Sequence, residues 1–163
     1  MFYPPGPIHD LESDAVIGQQ LGVTWKHILM LVPFTGLSQY AYKEINKLNG
    51  EKIVYTNGSK FHANRVLNAR GLTDCFHQIY GIEDANYVPK PEEDAYKRII
   101  KLADVNPLNA VMFEDEPKNL EAPHKMGMQT VLVSNGEIVD PRHHITDDLT
   151  NFLLKLNNIL NEN

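Results

Sequence analysis

The sequence holds a single cysteine, Cys75, so no internal disulfide can form, and a reducing, cytoplasmic setting is expected. It has no long apolar run: the longest stretch, residues 28–34, is far too short to cross a bilayer. Basic clusters are also missing. Acidic residues outnumber basic ones, 21 to 15, for a formal net charge of -6, which argues against nonspecific nucleic-acid binding. The first residues, MFYPPGP, lack the basic and apolar segments of a secretion signal. No tandem repeat or low-complexity tract is visible. Apolar residues make up 42% and charged residues 22% of the 163 positions, which excludes a disordered chain and fits one globular domain with at most a small appendage.

Organisation changes near Asn49-Gly50, from an irregular pattern to an alternation of short apolar runs and amphipathic stretches. Four runs, 52–55, 78–80, 110–113 and 129–133, read as buried strands, three of them with the β-branched or aromatic residues and lack of charged interruption expected of strands covered on both faces; the run 78–80 carries the weakest signal. Between them, residues 60–70, 91–102 and 117–126 read as helices. The first ends before Gly71, the second opens on Pro91 with acids in its first turn, and the third ends before Gly127 with Pro123 inside to kink or shorten it. Further helices are expected over 11–21, 38–48 and from Asp147 or Asp148 to about Leu160, the last preceded by a polar connector over 141–148. Strand and helix in this rhythm predict a parallel sheet with helices on both faces, whose ligands bind at the carboxyl ends of the strands.

Three features fall at or near those ends. Thr56-Asn57-Gly58 follows the first run, where a hydroxyl, backbone N–H groups and a helix start can receive an anion; an ordinary Asn-Gly turn with a serine cap reads the same way. Lys90, between two prolines, is held extended and suits a phosphate oxygen or a carboxylate, although a solvated loop lysine would look alike. Glu114 and Asp115 end the third run. Two acids at an apolar strand end repel one another unless a cation binds, and such hard oxygens suit Mg2+; Asn119 returns to the same side one helical turn later. The bland alternative is acids favoured by a helix dipole. Taken together, hydroxyl-amide, lysine and paired acids form a phosphate-plus-magnesium arrangement.

The stretches IVYTNGSKFHANRVLNARGL, YGIEDANYVPKPEEDAYKRII and AVMFEDEPKNLEAPHKMGMQTVLV resemble the haloacid dehalogenase (HAD) superfamily, and more narrowly its pyrimidine 5′-nucleotidase-like branch; the resemblance covers about residues 37–155. It implies a three-layer Rossmann-like α/β core over 37–163, with residues 1–36 as the remnant of a cap. It also implies a Mg2+-dependent phosphatase acting on nucleoside monophosphates or another small phosphorylated metabolite. Thr56, Asn57 and Gly58 would bind the phosphoryl group and Lys90 would neutralise its charge. Asp115 would be the main carboxylate at Mg2+, with Glu114 assisting and Asn119 behind them.

The superfamily also needs an apolar strand ending in D-x-D-x-T/V, whose first aspartate is the nucleophile and whose second is the general acid and base. Two alignments stay open. His9-Asp10-Leu11-Glu12-Ser13-Asp14 has roughly the right acids, making Asp10 the nucleophile, but it follows prolines that cannot form a central strand. Alternatively, Phe2-Tyr3-Pro4-Pro5 matches the family residues just after the catalytic aspartates. The first strand is then missing, and self-association through exposed sheet edges is expected. Trp25, Tyr40 and residues 28–34 would be remains of the cap, or plain core. Three readings follow: a phosphatase, a phosphate- and Mg2+-binding remnant without turnover, and another HAD reaction such as dehalogenation or phosphosugar mutation. His143-His144 reads as a solvated connector, Cys75 has no catalytic surroundings, and His62 and His124 lack metal-ligand partners.

Overall fold

In a computed structural model the described residues are 27–31 and 39, as backbone, together with 40–134 and 140–161. They form one six-stranded sheet in the order β3-β2-β1-β4-β5-β6, every neighbouring pair parallel. The strands are β1 His27–Leu31, β2 Glu51–Tyr55, β3 Gln78–Tyr80, β4 Ala110–Glu114, β5 Gln129–Val133 and β6 His144–Thr146. The helices are α1 Gln39–Lys47, α2 Lys60–Ala69, α3 Glu93–Leu102, α4 Glu121–Lys125 and α5 Leu149–Asn161. None of the described helices is long and apolar enough to cross a membrane.

Strand alternation divides the core into two layers. Val54, Val111, Phe113 and Val131 face Ile45, Leu67, Leu153 and Leu156 of α1, α2 and α5. Ile53, Tyr55, Met112 and Leu132 face Tyr96, Ile99 and Ala122 of α3 and α4. β2, β4 and β5 are therefore apolar on both sides, which is why their runs read as continuous rather than alternating.

Local signals place the helix ends. Ser59 Oγ accepts from the N–H of His62 at the start of α2, and Gly71 beyond its end has φ +65. Asp148 Oδ1 accepts from the N–H of Asn151 and caps α5. The helix expected over 117–126 is divided: Pro117–Leu120 is a 3-10 turn and only Glu121–Lys125 is α-helical. Pro123, in the first turn of α4, has no N–H to offer the carbonyl of Asn119, four residues earlier, so the helix cannot extend back regularly through the 3-10 turn.

Two expectations are corrected. The position between β2 and β4 is not vacant: β1 fills it, pairing His27 with Glu51 on one side and with Ala110 on the other, so those two edges are not exposed. This strand comes from the segment read as a cap remnant, and the 36/37 boundary lies outside the described residues, as do Asp10, Trp25 and the helix expected over 11–21. The second correction concerns the connector over 141–148. It contains β6, and His143 is not solvated: it is 7% exposed, with Nδ1 2.7 Å from Thr130 Oγ1.

Burial holds the pKa of His143 below its ordinary value, with Asp140 opposing and Arg142 and His124 assisting; burial does the same to His144. Both imidazoles are thus favoured neutral in the folded chain, whereas the unfolded chain takes up protons near pH 6.5. Their contribution to stability is complete above that pH and is lost as pH falls through the lower folded pKa. His143→Gln should therefore show a shallower fall in urea midpoint between pH 7 and pH 5 than the parent chain. Equal slopes would remove His143 from the acid response.

Candidate functional site

The chain runs outward from β1 through β2 to β3, then returns to β4 on the opposite side of β1. The crevice of such a sheet lies where the order reverses, outside the strands' carboxyl ends. The segments after β2, β3 and β4 converge there.

Lys90 joins them. Its ammonium is fully buried and donates to Glu114 Oε1 at 2.7 Å and to the carbonyl of Tyr55 at 3.3 Å. The Tyr55 ring centroid lies 5.1 Å from Nζ. An ammonium has three donors, and the third has no acceptor among the described residues. Burial lowers the Lys90 pKa, while Glu114 and, less strongly, Asp115 raise it. The backbone of Lys90 is also held, because its N–H donates to Asn57 Oδ1 at 2.7 Å and its carbonyl accepts from Asn57 Nδ2 at 3.1 Å. The Lys90–Pro91 peptide bond is cis.

Glu114, the last residue of β4, is completely buried. Its Oε1 accepts from Lys90 Nζ and from Asn119 Nδ2 at 2.9 Å; its Oε2 accepts from the N–H groups of Asp115 and Glu116 at 2.8 and 2.9 Å. A carboxylate offers about four lone-pair sites, and all are occupied. The expectation that Glu114 assists at a cation is revised accordingly: it holds Lys90, and Asp115 is the carboxylate left open. Asp115 lies exposed at the strand end, yet burial of its carboxyl and the neighbouring Glu114 push its pKa up to about 6.

The turn after β2 is used differently from the expectation as well. Gly58 donates its N–H to Thr56 Oγ1 at 3.0 Å, so that N–H is not free for an anion. The hydroxyl hydrogen of Thr56 and the second amide hydrogen of Asn57 remain. Asn57 mainly positions Lys90. Asn57→Ala removes both backbone tethers, at about 1 kcal/mol or less each for an exposed residue. Inorganic phosphate binding by calorimetry should weaken roughly tenfold, the equivalent of about 1.4 kcal/mol. Unchanged binding would show that the tethers do not set the place of the ammonium.

The donor set fits Mg2+, which is bound through one or two carboxylates and keeps several waters. Asp115 supplies an exposed carboxylate beside that of Glu114. Asn119 Oδ1 is buried and has no hydrogen-bond partner among the described residues, an orphaned hard oxygen next to Glu114. No group of three or more His, Cys, Asp or Glu residues is arranged to hold a metal among the described residues.

The structure thus brings Thr56, Asn57, Lys90, Glu114, Asp115 and Asn119 together at one end of the sheet. Two participants had no sequence signal. Tyr55 contributes a carbonyl and a ring face to Lys90, and Tyr96 donates its hydroxyl to the carbonyl of Asn119 at 2.6 Å. Both read simply as core aromatics.

Comparison with known proteins bears on the fold and the family. No curated protein sequence matches the chain at a significant level. Among solved structures, a dehalogenase determined with an intermediate complex superposes with TM-score 0.65 at 20% identity, over 73% of this chain and 56% of that one. The L-2-haloacid dehalogenase from Xanthobacter autotrophicus with chloropropionic acid covalently bound gives 0.60 at 16% identity, over 71% and 59%. A HAD phosphatase from Thermococcus onnurineus gives 0.60 at 22% identity, over 80% and 58%. The chain spans a little over half the length of these three proteins, and at such identities the likeness is one of fold. A family model described as haloacid dehalogenase-like hydrolase matches residues 20–133, from before β1 to the end of β5 and across every residue of the site. On that match, and with this fold beneath it, the chain belongs to the haloacid dehalogenase-like hydrolases.

Proposed function

We propose that the site takes the phosphoryl group of a small phosphomonoester with Mg2+, as in a phosphatase, and that nucleoside monophosphates are the substrate class. The observation that carries this reading is the buried Lys90 ammonium, fixed by Glu114 and the Tyr55 carbonyl with one donor left over. A cation held at two points in a low-dielectric setting suits a dianionic group, and positioning with charge neutralisation dominates phosphoryl transfer. Thr56 offers a hydroxyl hydrogen from the neighbouring strand end. Asp115, with Asn119, would hold Mg2+, which when bound offsets the charge of the phosphoryl oxygens. The nucleotide preference rests on the TNG, IEDA and PKP motifs alone.

A second reading, phosphate and Mg2+ binding without turnover, is favoured by one observation. The nucleophile of this reaction belongs after the central strand, and no acid occurs from Ala15 to Lys43. The next acid, Glu44, is buried in α1 and engaged by Lys47 and Asn157. Turnover would then fall to Asp10.

The readings separate by experiment. Purified chain is incubated with UMP, CMP and an aryl phosphate in Mg2+, and released phosphate is measured beside calorimetric binding of inorganic phosphate. Turnover abolished in Asp10→Ala supports the enzyme with that nucleophile. Binding without turnover supports the second reading, and neither binding nor turnover sinks both.

A further inference from the structure

We propose that Tyr96, a residue of α3 remote in sequence from the acids, is a positioning residue for the cation site, acting through Asn119. This rests on the phosphate-and-Mg2+ reading above and adds a residue to it.

The reason begins with Pro123. In a continuous helix the carbonyl of Asn119 would accept from the N–H of residue 123, but proline has none. The carbonyl is thereby left for another donor. Tyr96 supplies it, with its hydroxyl 2.6 Å away and the side chain 1% exposed, in edge-on contact with Tyr55. A tertiary bond therefore sets the carbonyl of Asn119, where a helical bond would otherwise do so, while its N–H donates to the Glu116 carbonyl at 2.9 Å within the 3-10 turn. From there the connections continue: Asn119 Nδ2 donates to Glu114 Oε1, the same oxygen that receives Lys90. Fixing Nδ2 also fixes the opposite side of the amide, where Oδ1 is buried without a partner among the described residues. A buried acceptor left unpaired is costly, and such atoms call for an explanation. A cation held jointly with Asp115 gives one.

Lys90 has its own supports in Asn57 and Tyr55, so loosening Asn119 should disturb the cation more than the anion. The test compares the parent chain with Tyr96→Phe, which retains the ring in the core and deletes only the hydroxyl. Calorimetry follows Mg2+ alone, and inorganic phosphate in EDTA. The expected result is Mg2+ affinity lowered about tenfold, the lower end for groups that orient metal ligands, with metal-free phosphate affinity changed less than about twofold. Asn119→Ala closes a double-mutant cycle: with the amide gone, Tyr96→Phe should cause no further loss of Mg2+ affinity.

Four outcomes overturn the proposal: unchanged Mg2+ affinity in Tyr96→Phe, parallel losses of Mg2+ and metal-free phosphate, full additivity with Asn119→Ala, or failure of Tyr96→Phe to fold, since the hydroxyl would then be a requirement of the fold. If the parent chain binds no Mg2+, the metal part of the functional reading fails along with it. Parent binding with Tyr96→Phe unaltered removes Tyr96 alone.

Discussion

Glu114→Leu should cost the chain more stability than any other single change in the site, about 3–5 kcal/mol, the range found when one partner of a buried ion pair is removed. The size follows from how many groups depend on that carboxylate. Leucine leaves the Lys90 ammonium buried with only the Tyr55 carbonyl at 3.3 Å, and strands the amide of Asn119 and the N–H groups of Asp115 and Glu116. Lys90→Met breaks the same ion pair from the other side, but Glu114 retains three N–H donors, and such donors favour the charged form of a carboxylate. It should therefore destabilise less, while abolishing phosphate binding equally. Glu114→Gln is not a mild change here. Whichever way its amide is turned, the NH2 group meets donors, either Lys90 and Asn119 or the two backbone N–H groups. Urea unfolding of the three variants should rank Glu114→Leu as the least stable of them. Equal stability of Glu114→Leu and Lys90→Met would contradict the hydrogen-bond assignment.

Asp115→Asn should have the largest effect on the cation. Mg2+ affinity should fall by at least about tenfold, the smallest loss common even for groups that only orient a ligand. A parent chain held at about 100 times its Mg2+ dissociation constant gains about 2.7 kcal/mol from the metal, and the variant at the same concentration should forfeit much of that gain. Without metal the sign reverses. The Asp115 pKa is raised to about 6 by burial and by Glu114, so in the folded chain its charged form is disfavoured at pH 7. Its contribution improves as pH falls through that value, because the folded state binds the proton more readily than the unfolded one. In EDTA at pH 7, Asp115→Asn should thus melt no lower than the parent, and its relative advantage should shrink toward pH 5. Thermal melts with and without Mg2+ at both values test this. A variant that keeps its Mg2+-induced shift would remove Asp115 from the cation site.

Some of this architecture could be read from the chain and some could not, for physical reasons. Runs such as 110–113 and 129–133 declare themselves because a parallel strand covered on both faces has no charged interruption, and Gly71 and Gly127 mark helix ends through positive φ. The strand His27–Leu31 escaped because a short apolar run without period, even one broken by Pro33, fits strand, cap or core alike. The strand at His144–Thr146 escaped because three residues carry no period. At the site, residue types and order suffice to select Lys90, Asp115 and Asn119. The division of labour between Glu114 and Asp115 does not show in the sequence, since it depends on which carboxylate the N–H groups, Lys90 and Asn119 converge upon.

The placement of β1 also bears on how the molecule assembles. The strands β2 and β3 form one flank and β4, β5 and β6 the other, and within the sheet the two flanks meet only through β1. His27 must find both Glu51 and Ala110, the second pairing closing a far longer loop. Loop-closure entropy is lost before that pairing gives anything back, and folding slows as contacts become more distant in sequence. The flank around β2 can consolidate early with β1, whereas docking of β1 onto β4 is expected to limit the rate. Until that step is complete, Lys90 and Glu114 stand on separate pieces, so the charge pair at the centre of the site would form among the last native contacts rather than guide the first.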